Sequence, residues 1–196
     1  MNKSKILYSN FLLFLLLGIV MLVSNYESNN SYSQRVFQTY ENEKYGIKIQ
    51  YPANWVSYEG FVTETFELVI GFHPVEKDVP FVYLWVQFLS PENATLESFT
   101  NQTLKYIQGP IGGNQVIKIL NQNSSVTLGG QPAHKVVYEE TLSNAGGESR
   151  TLKHMSIWNV LETEGYRLTF SSEHKDQYDQ YIKAAEKIIN SFEFTR

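Results

Sequence analysis

Apolar and polar residues alternate with a period of two through Tyr45-Gly-Ile-Lys-Ile-Gln-Tyr51. That is the pattern of a strand with one buried face, and Pro52, which has no N–H for a ladder, ends it. Trp55 follows three residues later. Phe66 to Phe72 predicts a second strand, and Phe81-Val-Tyr-Leu-Trp-Val-Gln-Phe-Leu89 is apolar on both alternating sets, which predicts a central strand covered on both sides. The period then changes. Leu96, Phe99, Thr103 and Ile107 recur at three- and four-residue steps, so Thr95 to Gln108 predicts a helix, with Asn93 or Thr95 as its cap and Gly109-Pro110 as its stop.

Beyond that stop the period-two pattern returns. Strands are predicted at Gln115–Gln122 and Ser125–Leu128, then the turn Gly129-Gly-Gln-Pro132, a strand Ala133–Leu142, a loop Ser143–Glu148, and strands Arg150–Leu161 and Tyr166–Ser171 joined by Glu162-Thr-Glu-Gly165. Successive strands with short connections imply an antiparallel sheet. Asp176–Asn190 places Tyr178, Tyr181, Ile182, Ala185, Ile188 and Ile189 on one helical face, predicting an amphipathic helix packed on that sheet. The class is α+β. Residues 36–196 read as one domain, preceded by a polar, aperiodic stretch at 25–35 that reads as a flexible linker.

Residues 1–24 follow another rule. Lys3 and Lys5 precede Phe11-Leu-Leu-Phe-Leu-Leu-Leu-Gly-Ile-Val-Met-Leu-Val23, an uncharged apolar run. A basic start followed by such a run is the plan of a signal peptide. The exit Leu22-Val23-Ser24-Asn25 is not a clean small-x-small cleavage site, so a retained N-terminal signal anchor, a transmembrane helix reaching back to Ile6, stands beside the cleaved signal. Either way the expected location is extracytoplasmic, membrane-anchored or secreted.

Composition narrows the chemistry. There is no cysteine, hence no disulfide framework, thiolate nucleophile or Cys-based zinc site. Lys3 and Lys5 are the charges within residues 1–24, so 14 basic and 20 acidic residues remain beyond them, a net charge of -6. An acidic domain lacks the basic face a nucleic-acid binder needs. Asn-x-Ser/Thr triplets at Asn29, Asn93, Asn101 and Asn123 are compatible with export as candidate glycosylation acceptors.

Three segments carry a resemblance. Tyr40-Glu-Asn-Glu-Lys-Tyr-Gly-Ile-Lys-Ile-Gln-Tyr-Pro-Ala-Asn-Trp55 resembles the opening motif of the PsbP family, the extrinsic photosystem II subunit and its relatives. Val126-Thr-Leu-Gly-Gly-Gln-Pro-Ala-His-Lys-Val-Val-Tyr138 is similar to the family's Gly-x-Pro-Ala turn and strand. Gly165-Tyr-Arg-Leu-Thr-Phe170, with the helix ending Ile189-Asn-Ser-Phe192, is similar to its closing strand and helix. The resemblance spans most of residues 37–194. It implies a PsbP-like α/β/α sandwich, a central antiparallel sheet flanked by helices, shared with a nuclear-import factor that binds the small GTPase Ran. Tyr51, Pro52 and Trp55 are its structural motif. The long N-terminal arm of photosystem PsbP is not recognisable in residues 25–35, and a photosynthetic role is not carried over.

Candidate chemistry is sparse. Gly-x-Ser-x-Gly, His-Glu-x-x-His and Gly-Lys-Ser/Thr motifs are absent, and Gly109-Pro-Ile-Gly-Gly113 reads as a helix-to-strand connection. None of His73, His134, His154 and His174 has another histidine at metal-pair spacing. Glu173-His174-Lys175-Asp176 with Asp179 could hold a divalent ion, and it also fits acids placed to complement a helix dipole. Some photosystem relatives bind metal ions, but their ligands find no residue-by-residue match here. His134 shares a strand face with Val136 and Tyr138 and reads as packed or hydrogen-bonded. Glu139 and Glu140 are adjacent on a strand, point to opposite faces and read as solvated charges. No catalytic, cofactor-binding or metal residue is assigned and no cofactor is expected. The expected function is a non-catalytic extracytoplasmic binding or assembly module for a membrane-associated protein partner. The alternative is a small-ligand or lipid carrier with a pocket between sheet and helix, beside Trp55 or Trp85.

Overall fold

The computed structural model of the chain describes residues 36–63, 65–75, 81–109, 115–144, 146–173 and 175–196. The expected signal or anchor (1–24), the linker (25–35), Asn29, His174 and most of the Gly109–Gly113 connection lie outside them. The described elements are β1 (Phe37–Asn42), β2 (Ile47–Pro52), β3 (Trp55–Glu59), β4 (Phe66–Pro74), β5 (Phe81–Phe88), a 3-10 turn (Pro91–Asn93), α1 (Leu96–Gln108), β6 (Gln115–Leu128), β7 (Gln131–Ser143), β8 (Ser149–Leu161), β9 (Glu164–Ser172), α2 (Lys175–Asn190) and β10 (Glu193–Phe194). Among the described residues, no helix is long and apolar enough to cross a membrane.

The fold is α+β, with strands dominating, and they form two sheets. A seven-stranded antiparallel sheet has the order β3-β4-β5-β9-β8-β7-β6, and a smaller sheet has the order β1-β2-β10. A single sheet is therefore a correction to the expectation. The strand read at Tyr45–Tyr51 does alternate, with Ile47, Ile49 and Tyr51 buried and Gln50 exposed, but it lies in the small sheet. Pro52 closes β2, and three residues on Trp55 opens β3, the edge strand of the large sheet. The two strands expected at Gln115–Gln122 and Ser125–Leu128 are one. Register shifts between Ile119 and Asn121 and between Asn123 and Val126 absorb the polar run between them. On an edge strand such bulges and solvated polar residues discourage pairing with a further strand.

Two apolar clusters lie on opposite faces of the large sheet, as alternation along β8 requires: Met155 and Ile157 face one cluster and Trp158 the other. The first cluster joins Val82, Leu84, Val86, Leu168 and Phe170 to Ala185, Ile188 and Ile189 of α2 and to Ile47 and Ile49 of β2. The second joins Val136, Tyr138 and Trp158 to Phe99 and Ile107 of α1. Thr95 caps α1, its Oγ1 accepting from the Ser98 N–H at 3.1 Å, so the choice between Asn93 and Thr95 falls to Thr95.

Helix α1 packs chiefly on β7 and β8, and the face of β5 on its side of the sheet keeps solvent contact. That corrects the expectation of a doubly covered central strand. Val82, Leu84 and Val86 are fully buried, whereas Tyr83, Trp85 and Gln87, on the other face, are only partly so and Phe81 is exposed. Between β6 and β7 the two-residue turn Gly129-Gly130 has φ of 56° and 79°, the left-handed pair that a tight hairpin of this hand requires. A Cβ on Gly129 would also lie 2.8 Å from the Phe194 ring, so the turn is packed against the C-terminal segment.

Candidate functional site

Because α1 covers only part of its face, the β3-β4-β5 end of the sheet keeps a strip of aromatic rings in contact with water. Phe61 stacks edge-on to Phe66 (6.4 Å) and Trp85 (5.9 Å), Trp85 meets Tyr83 at 6.0 Å, and Tyr83 meets Phe81 at 5.2 Å. Phe61 retains 55% of its surface exposed, Phe66 36% and Phe81 38%. Rings held this way against one another yet left wet are a marker of a binding surface, since a monomer gains by burying them.

Where the strip meets α1 it deepens into a cleft of about 350 Å³, with Phe66, Trp85 and Gln87 on the sheet side and Phe99, Gln102 and Tyr106 on the helix side. Gly165 sets the depth of this contact. A Cβ there would sit 2.5 Å from Phe99, so only glycine lets the helix ring lie directly on β9. On the cleft floor Arg167 lies in register between Trp158 of β8 and Trp85 of β5, with its guanidinium 5.5 Å from the Tyr106 ring.

Further along the same face runs a polar relay, buried at His154 and Ser171 and partly buried at Glu140 and Tyr83. Glu140, as a carboxylate, can only accept, so the His154 Nε2–H donates to it (3.0 Å) and Nδ1 is left as the acceptor for the Ser171 hydroxyl (2.7 Å). The Tyr83 hydroxyl, 3.3 Å from Ser171 Oγ, completes the chain, and Gln115 donates to the other Glu140 oxygen at 2.6 Å. His154 stacks on Tyr138, with ring centroids 4.5 Å apart. The hydrogen bond from His154 holds the Glu140 carboxyl below its ordinary range, and burial pushes the Tyr83 and Tyr138 phenols up. Serine, histidine and carboxylate here have the order of a hydrolytic triad without its setting. Ser171 is 2% exposed in a strand paired on both sides, so its neighbouring backbone amides serve the ladder and not an oxyanion. The relay satisfies buried polar groups.

The residues singled out from sequence distribute as follows. Tyr51, Pro52 and Trp55 are structural: Tyr51 donates to Gln38 Oε1 (3.0 Å) and its ring lies on Phe72, while Trp55 is buried edge-on to Tyr181 of α2. Glu140 is corrected from a solvated charge to a relay member, because it shares the α1 face of the sheet with Tyr138 and His154; Glu139, on the opposite face, lies 3.8 Å from Lys118. His134 packs on the Trp158 indole (5.1 Å), and its buried Nε2 has no hydrogen-bond partner among the described residues. Glu173 pairs with Arg150 at 2.8 Å, and Asp176 lies in the first turn of α2, the position that complements the helix dipole. Among the described residues no group of three or more His, Cys, Asp or Glu side chains is arranged to hold a metal ion. Asn101 and Asn123 are exposed, on α1 and β6, whereas the Asn93 side chain is engaged by Ser90 and Ser98. Ser171 and Arg167 were missed, and His154 was weighed only for metal-pair spacing. Arg167 alone carried a signal, as the single cation in an apolar alternating strand.

By sequence the chain matches no family model and none of the curated proteins. Its fold does have relatives. It is similar to the solution structure of cyanobacterial PsbP (CyanoP) from Synechocystis, with a TM-score of 0.60 and 14% identity over 81% of this chain and 92% of that one. It is also similar to the Ran-binding protein Mog1p of Saccharomyces cerevisiae, with a TM-score of 0.50 and 12% identity over 82% and 96%. The chain therefore has the PsbP-like fold, as the three sequence segments implied.

Proposed function

We propose that this chain is a non-catalytic, extracytoplasmic PsbP-like binding module. It is built as an α/β/α sandwich, exported or anchored by residues 1–24, tethered by residues 25–35, and engages a membrane-associated protein partner. The observation that carries the reading is the strip Phe61–Phe66–Trp85–Tyr83–Phe81, left wet on the half of the sheet face that α1 does not cover. An aromatic patch beside a polar surround is the composition of an interface core. A fold neighbour that is a Ran-binding protein supports the use of this architecture for protein binding, although fold alone does not carry the partner over.

Native mass spectrometry of the protein from its own membrane fraction tests the reading. A stoichiometric protein companion is expected, lost in a Phe61→Ser, Phe81→Ser double variant, neither residue of which lines the cleft. Persistence of the companion in that variant, or its absence from the wild type, overturns the proposal. The same spectrum gives the mature N-terminus: a mass retaining Lys3 and Lys5 supports the anchor, and their loss supports the cleaved signal. A second reading, the small-ligand carrier, is favoured by the cleft between sheet and helix beside Trp85.

A further inference from the structure

Arg167 is out of place for a structural arginine. Of the three arginines among the described residues, Arg150 holds Glu173 and Arg196 holds Glu164, while Arg167 makes no ion pair among the described residues. Shortage of acids is not the reason, since acidic residues outnumber basic ones in the chain. Strand register sets Arg167 between Trp158 and Trp85, and it lines the floor of a cleft walled by Phe66, Trp85, Phe99 and Tyr106. A cation in a poorly polarisable setting attracts an anion more strongly than it would in open water. The planar fork of a guanidinium matches a carboxylate with two parallel hydrogen bonds. Among the described residues no second cation lines the cleft, which suits a monoanion over a phosphate monoester. Its volume lies at the lower end of the roughly 300–1,000 Å³ usual for small-molecule pockets.

We propose that this cleft binds a small free carboxylate with an apolar or aromatic tail, the carboxylate on Arg167 and the tail along Phe66, Trp85 and Phe99. The inference rests on the carrier reading and names its ligand class. Gln87 and Gln102, on opposite walls, supply further donors to the carboxylate oxygens.

The test is calorimetric titration of the full-length chain in lipid nanodiscs, with empty nanodiscs as the blank and tryptophan fluorescence as a second readout. Octanoate and phenylpropionate are compared with octanol, which keeps the tail and lacks the charge. The wild type is expected to bind both acids saturably, octanoate about tenfold tighter than octanol. Arg167→Gln is expected to remove that preference, and Arg167→Lys to restore part of it. Octanol binding as tightly as octanoate overturns the carboxylate assignment and leaves the carrier reading standing. An undiminished preference in Arg167→Gln moves the anion off Arg167 and overturns the site. Absence of saturable binding by any of the three probes overturns both the site and the carrier reading. The wild-type comparison of acid with alcohol stands even where a variant folds poorly.

Discussion

Adjacent glutamates show how much one strand position decides. Glu139 and Glu140 differ by a single step of period two; the first meets water and Lys118, the second closes the relay through His154 and Ser171 to Tyr83. A carboxylate whose charged form is favoured in the folded state stabilises the protein at pH values above its unfolded value, near 4.5, and that contribution is lost as pH falls through the lower folded value. Glu140→Gln keeps an acceptor for the His154 N–H but removes its charge. At neutral pH it should therefore cost about 1–2 kcal/mol, and in urea unfolding the gap between variant and wild type should close as the pH is lowered below about 4. A gap of constant size across that range would show that the charge of Glu140 contributes nothing. Gly165 is a second single-residue determinant. Its replacement by Ala drives a methyl group into Phe99, with an expected loss of about 1–3 kcal/mol, together with weakened octanoate binding as α1 lifts from the cleft. A neutral effect on thermal unfolding would mean that α1 already stands off β9.

At the scale of elements, legibility in the sequence followed periodicity. Both helices were visible because Leu96, Phe99, Thr103 and Ile107, and then Tyr178, Ala185, Ile188 and Ile189, repeat at helical spacing, and the covered faces are the ones those residues mark. The meander from β7 to β9 was equally visible, since its turns are short and its strands long. Three things were not. β1 and β10 are short and partly exposed, so no alternation announces them, and only their pairing with β2 gives them a place. The division into two sheets was hidden because a strand's period does not say which neighbour it pairs with. The second face of β5 was misjudged because apolar residues signal burial whether a helix of the same chain or a separate molecule supplies the cover, and Trp85 and Phe81 are apolar on a face that α1 covers only in part. The cleft was legible only as a possibility beside Trp85. Arg167, its charge, depends on three strands coming into register. The cap of α1 gives a clean check at this scale: Thr95→Ala should lower stability by about 1 kcal/mol, while Asn93→Ala, which leaves the Thr95 cap intact, should cost less. The reverse order in thermal denaturation would assign the cap to Asn93.

Across the whole molecule the two faces of the large sheet are unequal in what holds them. One face is closed by α2 and the small sheet around a single large cluster that includes Phe72, Tyr166, Phe170 and Phe192. The other is closed by α1 through a much smaller cluster, with Phe99, Thr103 and Ile107 as its buried anchors and the Trp158 Nε1–H donating to Thr100 (2.9 Å). Local opening costs least where the fewest apolar contacts are broken, so α1 should open before α2 and before the β8-β9 pair. In native-state hydrogen exchange, amides of Leu104 to Gln108 should exchange faster than those of Ala185 to Ile189, in both cases by local opening. Functionally this matters because α1 forms one wall of the cleft and Tyr106 covers Arg167. A ligand seated there ties the weaker helix to the sheet, and any molecule that binds only the closed form raises its protection by mass action. Saturating octanoate should therefore slow exchange in α1 selectively, leaving α2 unchanged. Equal slowing in both helices would point to a global effect of the acid, and faster exchange in α2 than in α1 without ligand would reverse the order of stability assigned to the two faces.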